Sequence, residues 1–190
     1  TYDSPGRLEI GGADVVSVNE VGYGNITLDR AFAVSSNTVF GQVAKQVRAD
    51  RLVATAAAFG YGQSLGIDFS TVASVMPDPS EMTEWELAWA GAGQPVGQGH
   101  TPGPQTTVMQ NAVIAAMLDV VQNGSGSAAS IAGVKVAGKT GTAETNSSTP
   151  NSTFIGFAPY DTPTLAISLV LEETTENEAT AAAVAGQVLR

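Results

Sequence analysis

The stretch VKVAGKTGTAE occupies residues 134–144 and decides how the second half of the chain is interpreted. Its first residues, Val134-Lys135-Val136, alternate apolar and polar side chains, which is typical of a half-buried β-strand. The strand is expected to end in Lys139-Thr140-Gly141-Thr142, which offers a cation, hydroxyls and a glycine in succession. Because Gly141 has no side chain, a ligand can lie against the strand at this point. The stretch therefore predicts one wall of a functional site.

Two further strands are expected after this one, over 153–157 and about 164–172, followed by an Ala- and Val-rich helix over 176–189. Three apolar residues of the last strand share one face: Ile167, Leu169 and Leu171. Three consecutive strands closed by a helix, after a helical first half, predict an α+β fold with an antiparallel sheet covered by helices. We expect the last strand to expose its edge, which favours association with another chain or segment.

Helices dominate the earlier part of the chain, after loops and a hairpin over 1–26. Helical periodicity begins near Thr27, is interrupted at Ser35-Ser36-Asn37 and resumes over 38–48. Because Ser and Asn side chains compete for backbone hydrogen bonds, the interruption predicts a junction between two helices. The other helices expected here are 51–59 capped by Asp50, 80–90 capped by Ser80, and 106–122 capped by Thr106. We therefore expect a mostly helical part, 1–130, and a sheet part, 131–190.

Composition excludes several classes of protein. The 190 residues carry a net charge of −10, which argues against binding of nucleic acid or an anionic membrane surface. There is no cysteine, so disulfides, thiol nucleophiles and zinc–thiolate sites are excluded. The single histidine, His100, excludes a histidine-rich metal site, and neither a metal nor a cofactor is expected. No apolar run approaches the roughly 18 residues of a membrane-spanning helix.

Two short motifs carry a resemblance to a known family. Ser35-Ser36-Asn37 is an S-x-N triplet at a helix junction, and Lys139-Thr140-Gly141 is a K-T-G triplet on a strand. In this order they resemble two of the three signatures of the penicillin-recognising serine enzymes. Three longer passages strengthen the likeness to penicillin-binding proteins: Asn37-Thr38-Val39-Phe40, Gly97-Gln98-Gly99 with Thr101-Pro102 and Gln105, and Phe154-Ile155-Gly156-Phe157-Ala158-Pro159.

The third signature of the family, S-x-x-K, is absent, because no serine of the chain is followed by lysine three positions later. The chain therefore resembles the C-terminal part of a penicillin-binding transpeptidase domain, with a β-lactamase/transpeptidase-like fold that is incomplete at the N-terminus. The resemblance implies a peptidoglycan D,D-transpeptidase that cross-links stem peptides by serine acyl transfer and is acylated by β-lactams. The nucleophilic serine and its lysine are expected outside these residues, so this chain alone is expected to be inactive.

The resemblance also implies a role for each residue that matches the motifs. Ser35 would shuttle a proton to the leaving amine, and Lys139 would stabilise developing negative charge beside it. Asn37 would hold a substrate carbonyl and the catalytic lysine together. The K-T-G strand would bind the substrate or β-lactam through the hydroxyls and the open backbone of Thr140, Gly141 and Thr142.

Other functions stay open at this stage. A serine β-lactamase would need a base that activates water, and none is recognisable in the sequence. A non-catalytic β-lactam sensor or scaffold would keep the fold without the nucleophile. Under the leading interpretation the ligands are stem peptides and β-lactams, and the partners include wall-synthesis proteins and the missing N-terminal part of the same protein. The expected location is the extracytoplasmic face of the bacterial membrane, with an upstream anchor.

Overall fold

The computed structural model describes residues 1–62, 75, 77–94, 111–143, 149–174 and 180–190. These residues form seven strands and six α-helices. In chain order, the elements are β1 (Tyr2–Ser4), β2 (Arg7–Ile10), β3 (Ala13–Val16), β4 (Gly24–Ile26), α1 (Leu28–Ala33), α2 (Asn37–Val47), α3 (Ala49–Ala58), α4 (Glu84–Gly91), α5 (Asn111–Asn123), β5 (Ala137–Ala143), β6 (Asn151–Ala158), β7 (Leu165–Leu171) and α6 (Ala181–Val188).

The chain divides into two compact units. The first unit comprises Thr1–Ile26 and Ser36–Val108, and the second comprises Thr27–Ser35 and Met109–Arg190. Helix α1 therefore belongs with the sheet of the second unit, although it precedes α2 of the first unit in sequence. The boundary falls within the S-x-N triplet, between its first and second residues.

The first unit is built on two small antiparallel strand pairs and helix α2. Strand β1 pairs with β4, and β2 pairs with β3 in the hairpin expected near the N-terminus. Ile10, Val15 and Ala88 form a small buried core between this hairpin and α4. Helix α2 packs closely here because Gly41 has no side chain. An added Cβ at Gly41 would lie 3.2 Å from the Cβ of Ala88.

The second unit contains an antiparallel sheet with the strand order β5-β6-β7. Its register pairs Lys139 with Ile155 and Thr140 with Phe154. Phe154 is fully buried in a core that α6 closes through small residues such as Ala181 and Ala185. Three residues of β7 pack against this core, as their alternation predicts: Ile167, Leu169 and Leu171. The arrangement of helices and antiparallel strands confirms the predicted α+β class.

Some predicted element boundaries are wrong. The first strand of the sheet begins at Ala137, because Val134 forms only an isolated bridge with Ile131. Helix α3 begins at Ala49, so Asp50 lies in its first turn rather than at its cap. Helix α4 is capped by Thr83 and not by Ser80, which instead hydrogen-bonds the carboxylate of Asp78. The proposed cap Thr106 lies outside the described residues.

Candidate active site

Helix α1 carries Ser35 just beyond its C-terminal end. Thr27 begins the helix by accepting a hydrogen bond from the N–H of Arg30 through its hydroxyl. The helix ends at Ala33 with Val34 as its C-cap, and the N–H of Ser35 donates to the carbonyl of Phe32 at 3.2 Å. Ser35 itself has a φ of 54°, in the left-handed region that non-glycine residues seldom occupy. Strained backbone of this kind is often retained where it aims a side chain at a functional site.

The side chain of Lys139, on strand β5, meets Ser35 within the second unit. Its ammonium Nζ donates a hydrogen bond to the Ser35 hydroxyl and another, of 2.8 Å, to the carbonyl of Thr140. The same ammonium lies 5.4 Å from the centre of the Phe32 ring, within range of a cation–π interaction. The ammonium of Lys139 is thus held beside the C-terminal end of α1 by the hydroxyl of Ser35, the carbonyl of Thr140 and the ring of Phe32.

Within the described residues, the Lys139 ammonium bonds a hydroxyl and a carbonyl oxygen and forms no ion pair with a carboxylate. Burial lowers the pKa of Lys139 from its usual 10.5 to about 8, because the charged form loses hydration. At neutral pH the group is still mostly protonated. The ammonium can therefore stabilise a negative charge that forms beside it.

The connection after α5 braces α1 against strand β5. The guanidinium of Arg30 donates to the carbonyl of Asn123 at 2.9 Å, and the N–H of Ser125 donates to the carbonyl of Ala33 at 3.2 Å. Gly124 permits this approach, because an added Cβ would lie 2.2 Å from the Ala33 carbonyl oxygen. On its other side the Ser125 hydroxyl lies 2.6 Å from the hydroxyl of Thr140.

Two glycines allow the K-T-G strand to lie close to the core. A Cβ added at Gly138 would lie 2.1 Å from the ring of Phe154, and one added at Gly156 would lie 2.7 Å from the same ring. A Cβ at Gly141 would lie 2.4 Å from the Thr153 hydroxyl. Small residues are therefore required for packing at these positions of β5 and β6.

Within the first unit, the start of helix α2 is fixed by buried hydroxyls. The Ser36 hydroxyl caps the helix by accepting from the N–H of Val39, and it lies 2.8 Å from the hydroxyl of Ser4. The Thr38 hydroxyl is 3.2 Å from that of Ser36 and donates to the carbonyl of Pro5 at 2.8 Å. Ser4, Ser36 and Thr38 are fully buried. These contacts hold the N-terminal turn of α2 against the first strand.

Asn37 lies in the first turn of α2, and its side-chain Nδ2 donates to the carbonyl of Val16 at 2.9 Å. This amide N–H is therefore used to join α2 to strand β3. The bond to Val16 uses one of the two N–H donors of the Asn37 amide, which leaves the second N–H and the amide oxygen for a further role.

The structure brings together three of the residues singled out from sequence: Ser35, Lys139 and Thr140. Gly141 and Thr142 continue the same strand, paired with Thr153 and Ser152 of β6. The passage that starts at Gly97 lies outside the described residues, as does His100. Sequence reasoning missed two elements of the site, which are the ring of Phe32 and the connection at 123–125. Neither shows a short-range motif, although the Asn-Gly pair did mark the end of a helix.

Across the described ranges, no cluster of three or more His, Cys, Asp or Glu side chains could hold a metal ion. None of the helices in the described part of the chain combines the length and the hydropathy required to cross a bilayer.

Known proteins are similar to this chain over most of its length. A family model described as the penicillin binding protein transpeptidase domain matches residues 3–118 and 105–190. The peptidoglycan D,D-transpeptidase MrdA of Acinetobacter baumannii is 24% identical over an alignment of 222 residues, which covers 80% of this chain and 32% of that protein.

Solved structures show the same fold. The D,D-transpeptidase domain of a peptidoglycan glycosyltransferase from Eggerthella lenta is 32% identical with a TM-score of 0.83, over 98% of this chain and 57% of that one. Penicillin-binding protein 3 of Mycobacterium tuberculosis, solved with aztreonam, is 21% identical with a TM-score of 0.78, over 99% of this chain and 55% of that one. The chain thus spans about a third of the curated relative and little more than half of these solved chains.

Proposed function

Because the chain belongs to the penicillin-binding protein transpeptidase domain family, we propose that it forms part of a peptidoglycan D,D-transpeptidase. In this reaction a serine takes the acyl group of a D-alanyl-D-alanine stem peptide and passes it to an amine of another peptide. The observation that carries the proposal is the hydrogen bond from the Lys139 ammonium to the Ser35 hydroxyl. It joins the S-x-N and K-T-G motifs, which lie far apart in sequence.

Proton transfer is the role proposed for Ser35. Its hydroxyl oxygen accepts the hydrogen bond from Lys139, which leaves its own proton for donation. That arrangement suits transfer of a proton to the amine that leaves when the peptide bond breaks. The positive charge of Lys139 would lower the free energy of an alkoxide or carboxylate formed nearby.

Binding of the substrate's terminal carboxylate is the role proposed for the strand beyond Lys139. Thr140 and Thr142 offer hydroxyls, and Gly141 leaves the strand surface open to a ligand. The backbone N–H of Thr142 is proposed as one donor of the oxyanion hole, with the other donor on the nucleophilic serine. Asn37 would hold a substrate carbonyl through the second N–H of its amide, since the first bonds Val16, and would accept from the catalytic lysine through its amide oxygen.

The remaining parts of the proposal concern groups beyond this chain. The nucleophilic serine and its partner lysine would come from a part of the protein outside these 190 residues, so the chain alone would not be acylated. The same part would pair with the edge of β7, which otherwise favours self-association. Stem peptides and β-lactams are the proposed ligands, with wall-synthesis proteins as further partners. The proposed location is the extracytoplasmic face of the membrane, with an upstream anchor.

Labelling with a fluorescent penicillin tests the function, with the full-length protein and this chain compared side by side. We expect a stable covalent adduct on the full-length protein only. Lys139→Ala should slow acylation by about a hundredfold to a thousandfold, as loss of a preorganised charge does. The matched control is Lys135→Ala, because Lys135 is an exposed lysine that pairs with Asp161 at 3.1 Å.

Three other outcomes would contradict the role of Lys139 or the proposed function. If Lys139→Ala were acylated as fast as the wild type, the role assigned to Lys139 would be wrong. Absence of any adduct on the full-length protein would favour a non-catalytic sensor or scaffold. Steady turnover of a chromogenic cephalosporin, in place of a stable adduct, would favour a serine β-lactamase.

A further inference from the structure

The hydroxyls of Ser125 and Thr140 form a close pair in the second unit, 2.6 Å apart. Ser125 lies in the connection that follows α5, whereas Thr140 is the middle residue of the K-T-G triplet on β5. No sequence motif joins them, and the contact exists only because the fold brings the connection back to the strand. A hydrogen bond of this length is short for two neutral hydroxyls and restricts where both protons point.

Backbone contacts with α1 fix the position of Ser125. Its N–H donates to the carbonyl of Ala33 at 3.2 Å. The preceding glycine, Gly124, has no room for a side chain beside the same carbonyl. One residue earlier, the carbonyl of Asn123 accepts a hydrogen bond from Arg30. The Ser125 hydroxyl is therefore presented to Thr140 by backbone that is tied to α1, the helix that precedes Ser35.

Either hydroxyl of this pair can donate the hydrogen bond that joins them, and the distances to other acceptors favour Ser125 as the donor. The Ser125 hydroxyl lies 3.5 Å from the carbonyl of Ala33, which is long for a bond from a hydroxyl. Thr140 Oγ1, at 2.6 Å, is a much better acceptor for the Ser125 proton. A threonine hydroxyl carries one proton and can accept while it donates. When Ser125 donates to Thr140, the proton of Thr140 is left for a third group.

We propose that Ser125 is a positioning residue, which donates to Thr140 so that Thr140 presents its own proton to the carboxylate of the bound ligand. The inference rests on the proposed function, because it concerns the carboxylate of a stem peptide or β-lactam. A hydroxyl that accepts one hydrogen bond becomes a stronger donor of the next. Ser125 would thus strengthen recognition of the anionic group without touching the ligand.

The test compares two forms of one penicillin, the free acid and its neutral methyl ester, as acylating agents of the full-length protein. Ser125→Ala should lower the second-order acylation rate for the free acid by about threefold to tenfold, the loss expected for one hydrogen bond. The rate for the ester should change less than about twofold. Ser125→Thr keeps a hydroxyl and should restore the rate for the acid. Ser130→Ala, at an exposed serine of the same connection, is the control and should change neither rate.

Several results would overturn the proposal. An equal loss for acid and ester would show that Ser125 only supports the fold. An unchanged rate for the acid would show that Thr140 is oriented without Ser125. If the wild type forms no adduct with either compound, the proposed function fails, and calorimetric affinity for the acid then decides the role of Ser125. Equal affinities of the wild type and Ser125→Ala would contradict that role.

Discussion

Gly138 lies directly against the ring of Phe154, so that a Cβ added to this glycine would stand 2.1 Å from the ring's Cζ atom. The ring is fully buried in the core of the second unit and has no solvent to move into. Gly138 immediately precedes Lys139, so the same contact sets the distance between the K-T-G strand and the core. The position of the catalytic cation in the proposed function thus depends on a glycine that makes no polar side-chain contact.

Gly138→Ala should therefore destabilise the transpeptidase domain by about 1–3 kcal/mol or more, since overpacking forces the core to move. Thermal or urea unfolding of the variant measures this loss. The matched comparison is Gly141→Ala on the same strand, where the added Cβ meets the rotatable hydroxyl of Thr153. We expect Gly141→Ala to lose less stability. The double variant Gly138→Ala/Phe154→Leu should lose less stability than the sum of the two single losses, because the smaller side chain makes room for the added Cβ. A loss equal to that sum would argue against the clash.

Substitutions at Ser35 can separate backbone strain from chemistry. Because Ser35 has a φ of 54°, glycine should relieve strain there, whereas alanine should not. We expect Ser35→Gly to be more stable than Ser35→Ala by about 1 kcal/mol. Both variants lack the hydroxyl, so both should be acylated more slowly by penicillin than the wild type. Equal stability of the two variants would contradict the left-handed geometry, and wild-type acylation in both would remove Ser35 from the mechanism.

The lowered pKa of Lys139 predicts how stability depends on pH. Its pKa is about 8 in the folded protein and near 10.5 when unfolded. Between these values the unfolded state binds more protons, so this group makes the protein more stable as the pH rises from 8 to 10.5. Below pH 8 the buried charge opposes folding by a constant amount.

Lys139→Met removes this titration. The stability of the variant relative to the wild type should be highest below pH 8 and should decrease as the pH approaches 10.5. Urea unfolding at a series of pH values measures the difference, in which the other titrating groups cancel. Lys135→Met, at an exposed lysine, is the control for the loss of a lysine side chain. A constant difference for Lys139→Met would show that its pKa is the same in both states.

Local chemistry explains what the sequence predicted well. The helix predicted to begin near Thr27 does begin at Leu28, and the Ser-Ser-Asn interruption does separate α1 from α2. The face of β7 that packs on the core follows from simple alternation. The predicted start of α4 is wrong because the side chains of Ser80 and Thr83 can both cap the N-terminus of a helix. Only Thr83 has Glu86 placed to complete a reciprocal capping box.

Contacts between distant residues explain what the sequence did not predict. The pairing of Ser125 with Thr140 and the bracing of Ala33 by Gly124 depend on the return of the chain after α5. The start of β5 was placed too early because Val134 and Val136 favour a strand, whereas Gly138 does not. In the structure the glycine is needed inside the strand by its packing partner, Phe154. Tertiary packing thus overrode local preference at the place where the site is built.

The buried hydroxyls of Ser4, Ser36 and Thr38 have a consequence for how the protein tolerates its surroundings. They attach the start of α2 using hydroxyl, amide and carbonyl groups alone, none of which titrates in the physiological range. Lys139, in the other unit, changes its charge near pH 8. A rise of pH through this value therefore changes the charge of one unit, while the groups that anchor α2 in the other unit keep theirs.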